Sequence, residues 1–185
     1  MTIERVPQIH YPKADIGRRG MALGLDFLGA WLISSILGSN QIGIQFVQIL
    51  VFIFCWLILR VVVVYNNQGQ SLGRWAFNLK VLEVQDGEIS GRIPTLRSLL
   101  KREAIIGFGA LLVSIALNNI RVNFTAILLL LPLAIDCGAA LSDNQMRQAL
   151  HDRYAGTFIV SSRRGYSLDI KIQRLVDKLL RNVRR

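Results

Sequence analysis

Three ionisable residues fall inside stretches of this chain that are otherwise suited to lipid. Asp26 lies in the apolar run 21–37, Arg60 in the run 44–64 and Asp136 in the run 122–141. Holding a carboxylate at the centre of such a helix costs about 2.5–3.5 kcal/mol on insertion scales. Each therefore calls for a partner, a water-filled pocket or a task. By helical rise, Arg60 and Asp136 lie about 7 Å inside their spans and Asp26 slightly deeper. The three are expected to form one cluster at a single level near one leaflet. Two carboxylates at low dielectric do not ionise together comfortably, so one would hold a proton near neutral pH. Replacing that proton by a cation such as Na⁺ is the elementary exchange of an antiporter. The same residues also suit a structural lock, with Arg60 neutralising one acid while the other stays protonated.

The elements that must position these groups are legible from composition. The chain has 185 residues, of which 52% are hydrophobic and only 18% charged, and its mean hydropathy is +0.40. Soluble domains carry about 25% charged residues. A membrane span needs about 20 mostly apolar residues. Ile44 to Val64 and Val122 to Leu141 meet this well, Met21 to Leu37 is slightly short, and Ala104 to Ile120 is the weakest. The net charge of +10 would point to nucleic acid in a soluble protein. Here the cations flank the apolar runs, which fits orientation and contact with anionic lipid headgroups. Zinc-finger spacing and aromatic interleaving are both missing, so no nucleic-acid partner is expected.

Charge also arbitrates the number of spans. With four, the arm before the first span, the basic segment 66–103 and the basic tail share one face, and the far side keeps only Arg121. With three, the basic segment and basic tail fall on opposite sides, against the positive-inside rule. The expectation is an all-α membrane protein with four transmembrane helices and both termini in the cytoplasm. Its parts are an arm (1–16), a membrane domain (17–162) containing the loop 66–103, and a basic amphipathic tail helix (163–185). A bacterial plasma membrane is the default location, and an internal bacterial membrane the alternative.

Within the loop, Leu79, Val81 and Ile89 suit short strands, and Asp86-Gly87 is a hairpin signal. Thr95 after Pro94 suits the cap of a short helix with Leu96, Leu99 and Leu100 on one face. Phe158 to Val160 reads as a further strand, so a small sheet joining these pieces is expected. In the tail, Ile172, Leu175, Val176, Leu179, Leu180 and Val183 share a helical face opposite a basic one. That pattern fits a helix lying on anionic lipid or one packed on protein. Cys55 and Cys137 read as buried free thiols, without metal-ligand spacing to His10 or His151. No cleavage site follows the first apolar run, so that span is expected to stay. His151 beside Asp152 invites a general-base role. No nucleophile or metal set accompanies it, so neither an enzyme nor a cofactor is expected, and His151 is assigned to backbone or lipid phosphate.

Three motifs in order carry a resemblance. Arg19-Gly-Met-Ala22-Leu-Gly-Leu-Asp26 has the arginine, alanine and aspartate spacing of the RDD family of membrane proteins. Gly69-Gln70-Ser71-Leu72-Gly73-Arg74, followed by Asn78-Leu79-Lys80-Val81, is similar to that family's segment after the second span. Leu150-His151-Asp152-Arg153-Tyr154-Ala155-Gly156-Thr157 resembles its closing signature. The resemblance covers Ile16 to about Val160. It assigns Arg19, Asp26 and Asp152 as the arginine and two aspartates of the family name. A position often acidic in the family is Asn144 here, beside Asp143. The resemblance implies a multi-pass membrane protein for which transport, including cation/proton exchange, is the customary guess. The alternative is a non-catalytic assembly or binding subunit of a larger membrane complex, or a homo-oligomer. Four short spans without an internal repeat leave little room for alternating access, and Gly20 with Gly24 forms a GxxxG that permits close helix approach. Arg19, seven residues before Asp26, is too far along the helix to bridge it. It is expected at the interface, on phosphate or Asp152.

Overall fold

A computed structural model describes residues 12–37, 45–85, 88–143 and 147–162. The tail helix (163–185), the Asp86-Gly87 turn and Asn144 lie outside these residues.

The first apolar run forms α1 (Ile16–Leu37), and the second forms α2 (Phe46–Asn66). The two pack antiparallel. Phe27 meets Phe52 edge to face with ring centroids 6.0 Å apart, and Phe52 stacks on Trp56 at 5.8 Å. Ala30, Phe52, Trp56, Ile106 and Ala110 form the core between helices. Lipid-suited side chains such as Leu28, Leu32, Phe54 and Phe108 remain exposed on the outer faces. Within α2, residues Ile58–Val62 take a π-helical turn with Arg60 at its middle. Such turns insert one residue into the helical ladder and recur at functional sites.

After α2 the chain turns at Gly69 (φ 82°) into the short helix α3 (Leu72–Ala76), capped by the Ser71 hydroxyl. Strands β1 (Leu79–Gln85) and β2 (Glu88–Ile89) pair antiparallel, and β3 (Thr157–Ser161) pairs antiparallel on the other edge of β1. The sheet order is β2-β1-β3. Lys13 bridges to Val160, so the residues before α1 extend this edge. The expected small sheet is therefore present, and "all-α" is corrected to mostly helical with a three-stranded sheet.

Thr95 accepts from the Ser98 N–H and starts α4 (Leu96–Asn119), a 24-residue helix. The expected short helix and weakest span are thus one continuous element. The fourth run begins as a tight 3₁₀ stretch, Phe124–Leu130, and becomes α-helical over Leu131–Ser142. Together these make α5 (Phe124–Ser142). The change falls at Pro132, which has no N–H to continue an upstream ladder. A short helix α6 (Leu150–Ala155) leads into β3 through Gly156 in the left-handed region (φ 62°).

Among the described residues, α1, α2 and α5 are long and apolar enough to cross a membrane. Helix α4 has the length, but Arg97, Lys101, Arg102 and Glu103 sit in its first turns.

Candidate functional site

Three buried carboxylates, Asp26, Glu103 and Asp152, meet four arginines where the helices join the sheet. Asp26, on α1 and 2% exposed, faces α2 and α3. Its Oδ2 accepts from Arg60 Nη1 at 2.8 Å and from the Ser71 hydroxyl at 2.6 Å, and its Oδ1 accepts from the Gly73 N–H at 2.7 Å. The last contact requires a glycine. A Cβ on residue 73 would stand 2.0 Å from the Ala22 carbonyl oxygen. Gly69 is constrained in the same way: its added Cβ would lie 2.5 Å from the Val81 carbonyl oxygen. Gln70 Nε2 donates to the Leu79 carbonyl at 2.8 Å. The segment 69–74 thus welds β1 to α1 around the Asp26 carboxylate. At Gly73 the requirement for glycine is close approach rather than a turn.

Glu103 is the hub. Its Oε2 accepts from Arg60 Nε at 3.1 Å and from the Trp56 indole N–H at 3.2 Å. Its Oε1 accepts from Arg102 Nη1 at 2.9 Å and from Arg74 Nη2 at 3.5 Å. The Arg60 guanidinium also sits 5.2 Å from the Trp56 ring centroid, a cation–π distance. Asp152, on α6, joins the two ends of the network. Its Oδ1 accepts from Arg102 Nε at 2.9 Å, and its Oδ2 accepts from Arg19 Nη2 at 2.5 Å. Arg19 Nη1 donates to the Arg147 carbonyl.

Asp136 does not join Asp26 and Arg60, so the expected three-residue cluster is corrected. The His151 N–H donates to Asp136 Oδ1 at 2.9 Å, and His151 Nδ1 lies 2.5 Å from Oδ2. The other ring nitrogen, Nε2, lies 3.1 Å from Arg102 Nη2. A guanidinium only donates, so Nε2 accepts and Nδ1 carries the proton directed at Asp136. His151 is buried inside the network, with its ring between Asp136 and Arg102.

Two groups outside the spans show how the site is balanced. Burial alone would raise the Asp152 pKa, but the charges of Arg102 and Arg19 hold it below the usual carboxylate range. Burial pushes the Arg74 pKa well down, and the neighbouring Arg60 and Arg102 add to this against the pull of Glu103 and Asp26. Arg74 Nη1 is buried without a hydrogen-bond partner among the described residues.

Sequence reasoning placed Asp26 and Arg60 by depth and took Arg19, Gly69, Gln70, Gly73, His151, Asp152 and Gly156 from the resemblance. It gave no site role to Glu103, Arg102 or Arg74. A signal existed for the first two: an unbroken helix from the Thr95 cap puts Leu99, Arg102, Glu103 and Ile106 on one face at i, i+3, i+4 and i+7. Two other expectations change. Gly20 and Gly24 have open space where a Cβ would stand, so the described residues show no close approach there. Cys55 and Cys137 are free thiols but only partly buried.

Among the described residues, no group of His, Cys, Asp and Glu could hold a metal ion. No curated protein and no solved structure matches the chain. The sequence profile of the RDD family matches residues 13–156. That span begins beside the Lys13 bridge to the sheet and ends at Gly156, enclosing every side chain of the ionic network. The chain is an integral membrane protein and belongs to the RDD family.

Proposed function

We propose that this protein is a non-catalytic membrane module, built for binding or assembly within a larger complex, rather than a cation/proton exchanger. Its four helices, α1, α2, α4 and α5, all span the bilayer, with both termini and the sheet in the cytoplasm. For α4, the Arg102 and Glu103 charges enter the bundle already neutralised by partners. A bacterial plasma membrane fits the distribution of basic residues.

One observation carries the functional reading: the Asp26 carboxylate accepts three hydrogen bonds, from Arg60, Ser71 and Gly73. Exchange needs a carboxylate that releases its proton or cation and can be re-solvated. Asp26 instead fastens α1 to α2 and α3, and through Gln70 to the sheet. A network that ties membrane helices to a sheet outside them presents a rigid surface to a partner. The basic tail 163–185 and anionic lipid headgroups would add to docking.

The test uses purified protein in vesicles, together with native extraction from membranes. The expected result is no Na⁺- or K⁺-driven proton flux and migration as a defined larger complex. Flux in the wild type that disappears in a folded Asp26→Asn variant would restore the exchange reading. Membrane-impermeant thiol labelling of single cysteines placed in 66–95 and in 163–185 tests the topology. Labelling from opposite sides would reject the four-span arrangement.

A further inference from the structure

A cavity of about 90 Å³ adjoins the ionic network. Four arginines, Arg19, Arg60, Arg74 and Arg102, line it together with His151. None of the three carboxylates that neutralise these arginines, Asp26, Glu103 and Asp152, is among the lining residues. The cations therefore border the space while their counter-ions sit behind them. The rest of the wall is largely apolar, with Leu23, Ile106 and Ala140, so the charges act at low dielectric. Its volume is well above the roughly 10–15 Å³ that admits a single water.

The second observation is Arg74. It is 1% exposed, lines the cavity, and has a buried Nη1 without a hydrogen-bond partner among the described residues. Leaving a buried donor of a charged group unpaired is costly, because its hydration is lost and not replaced. Its one ion pair among the described residues, with Glu103, is long at 3.5 Å. An acceptor in the cavity would satisfy it. Gly20, also in the wall, is exposed and has open space beside it. The cavity thus reaches the surface one residue after Arg19, in the second turn of α1, where headgroups would lie.

We propose that this cavity is an anion site that takes a phosphate group, held by Arg74 with Arg19, Arg60 and Arg102 around it. The phosphate is either free or the headgroup of a phospholipid whose acyl chains lie against α1. Arginine suits this ligand because its planar fork matches phosphate oxygens. The site is independent of whether the protein assembles with partners or exchanges ions.

The test uses the full-length protein in detergent and in nanodiscs. Inorganic phosphate, at constant ionic strength against chloride, is expected to raise the unfolding midpoint with increasing concentration. It should also slow alkylation of Cys137, which lines the cavity, at least threefold while leaving Cys55 unchanged. Arg74→Met should weaken phosphate binding at least tenfold, and Arg74→Lys should restore part of it. Native mass spectrometry separates the sources. A phospholipid that stays bound to the wild type and is lost from Arg74→Met identifies a headgroup, and phosphate protection without retained lipid identifies the free anion. The Cys137 readout needs no variant, so it decides the matter even if Arg74→Met fails to fold. Equal alkylation of Cys137 with and without phosphate, together with no retained phospholipid, would overturn the proposal. So would equal binding by the wild type and a folded Arg74→Met.

Discussion

Gly73 gives its backbone N–H to Asp26 at 2.7 Å while its α-carbon faces the Ala22 carbonyl, with no room for a Cβ between them. One glycine thus brings α3 onto α1 and completes the shell of a buried carboxylate. Substituting Gly73 with Ala should cost about 3 kcal/mol or more, because backbone must move on both sides. Gly24→Ala, on the same helix as Asp26, meets nothing within 4 Å. It should be neutral or stabilising by up to about 1 kcal/mol, since Ala is the better helix former. Unfolding midpoints of the two variants in detergent check the contrast.

Asp26→Asn leaves Arg60 buried with only Glu103 to neutralise it. Breaking one side of a buried pair costs about 3–5 kcal/mol. The variant is expected to unfold at markedly lower temperature than the wild type. A midpoint within a degree or two of the wild type would show that Asp26 is not part of the lock.

Glu103 and Arg74 contribute unequally. Glu103→Gln removes the negative charge from between Arg60, Arg74 and Arg102 and should cost about 3–5 kcal/mol. Arg74→Met removes a cation whose single ion pair is long, and should cost about 1 kcal/mol or less. With both changes, one repelling cation is gone, so the double variant should be more stable than the sum by about 1–3 kcal/mol. A double-mutant cycle on urea midpoints measures this coupling.

Asp152 gives the protein an acid limb. Its carboxyl is held below the ordinary value of about 3.9. The folded state therefore releases this proton more readily than the unfolded chain. The resulting stability is fully present above about pH 4–5 and fades as pH falls through the folded pKa. Unfolding midpoints between pH 7 and 3 should drop for the wild type. Asp152→Asn should start lower and show a flatter acid limb.

Much of the architecture was written locally. Long apolar runs set α1, α2 and α5, because twenty apolar residues in sequence have few other fates. Alternation at Leu79 and Val81, where period two is a backbone property, and the short apolar run Phe158–Val160 indicated strands. Thr95 marked the start of α4 through its hydroxyl, although the helix then ran on past the expected loop boundary. The ordered motifs around Arg19, Gly69 and His151 indicated the family.

The pairing of charges was not legible in the same way. Helical rise gives depth along an axis, so Asp26 and Arg60 could be matched by level. Depth says nothing about rotation around the axis or about which neighbour stands alongside. Asp136 has a suitable depth but turns to His151, because α6 returns beside α5. Arg102 and Glu103 read as part of a basic loop, and only their burial against Arg60 and Asp152 makes them the centre. The sequence by itself determined which segments are long and apolar enough to cross a membrane, because hydrophobicity is additive along a chain. Tertiary structure alone decided which carboxylate answers which arginine, because an ion pair depends on distances between segments far apart in sequence.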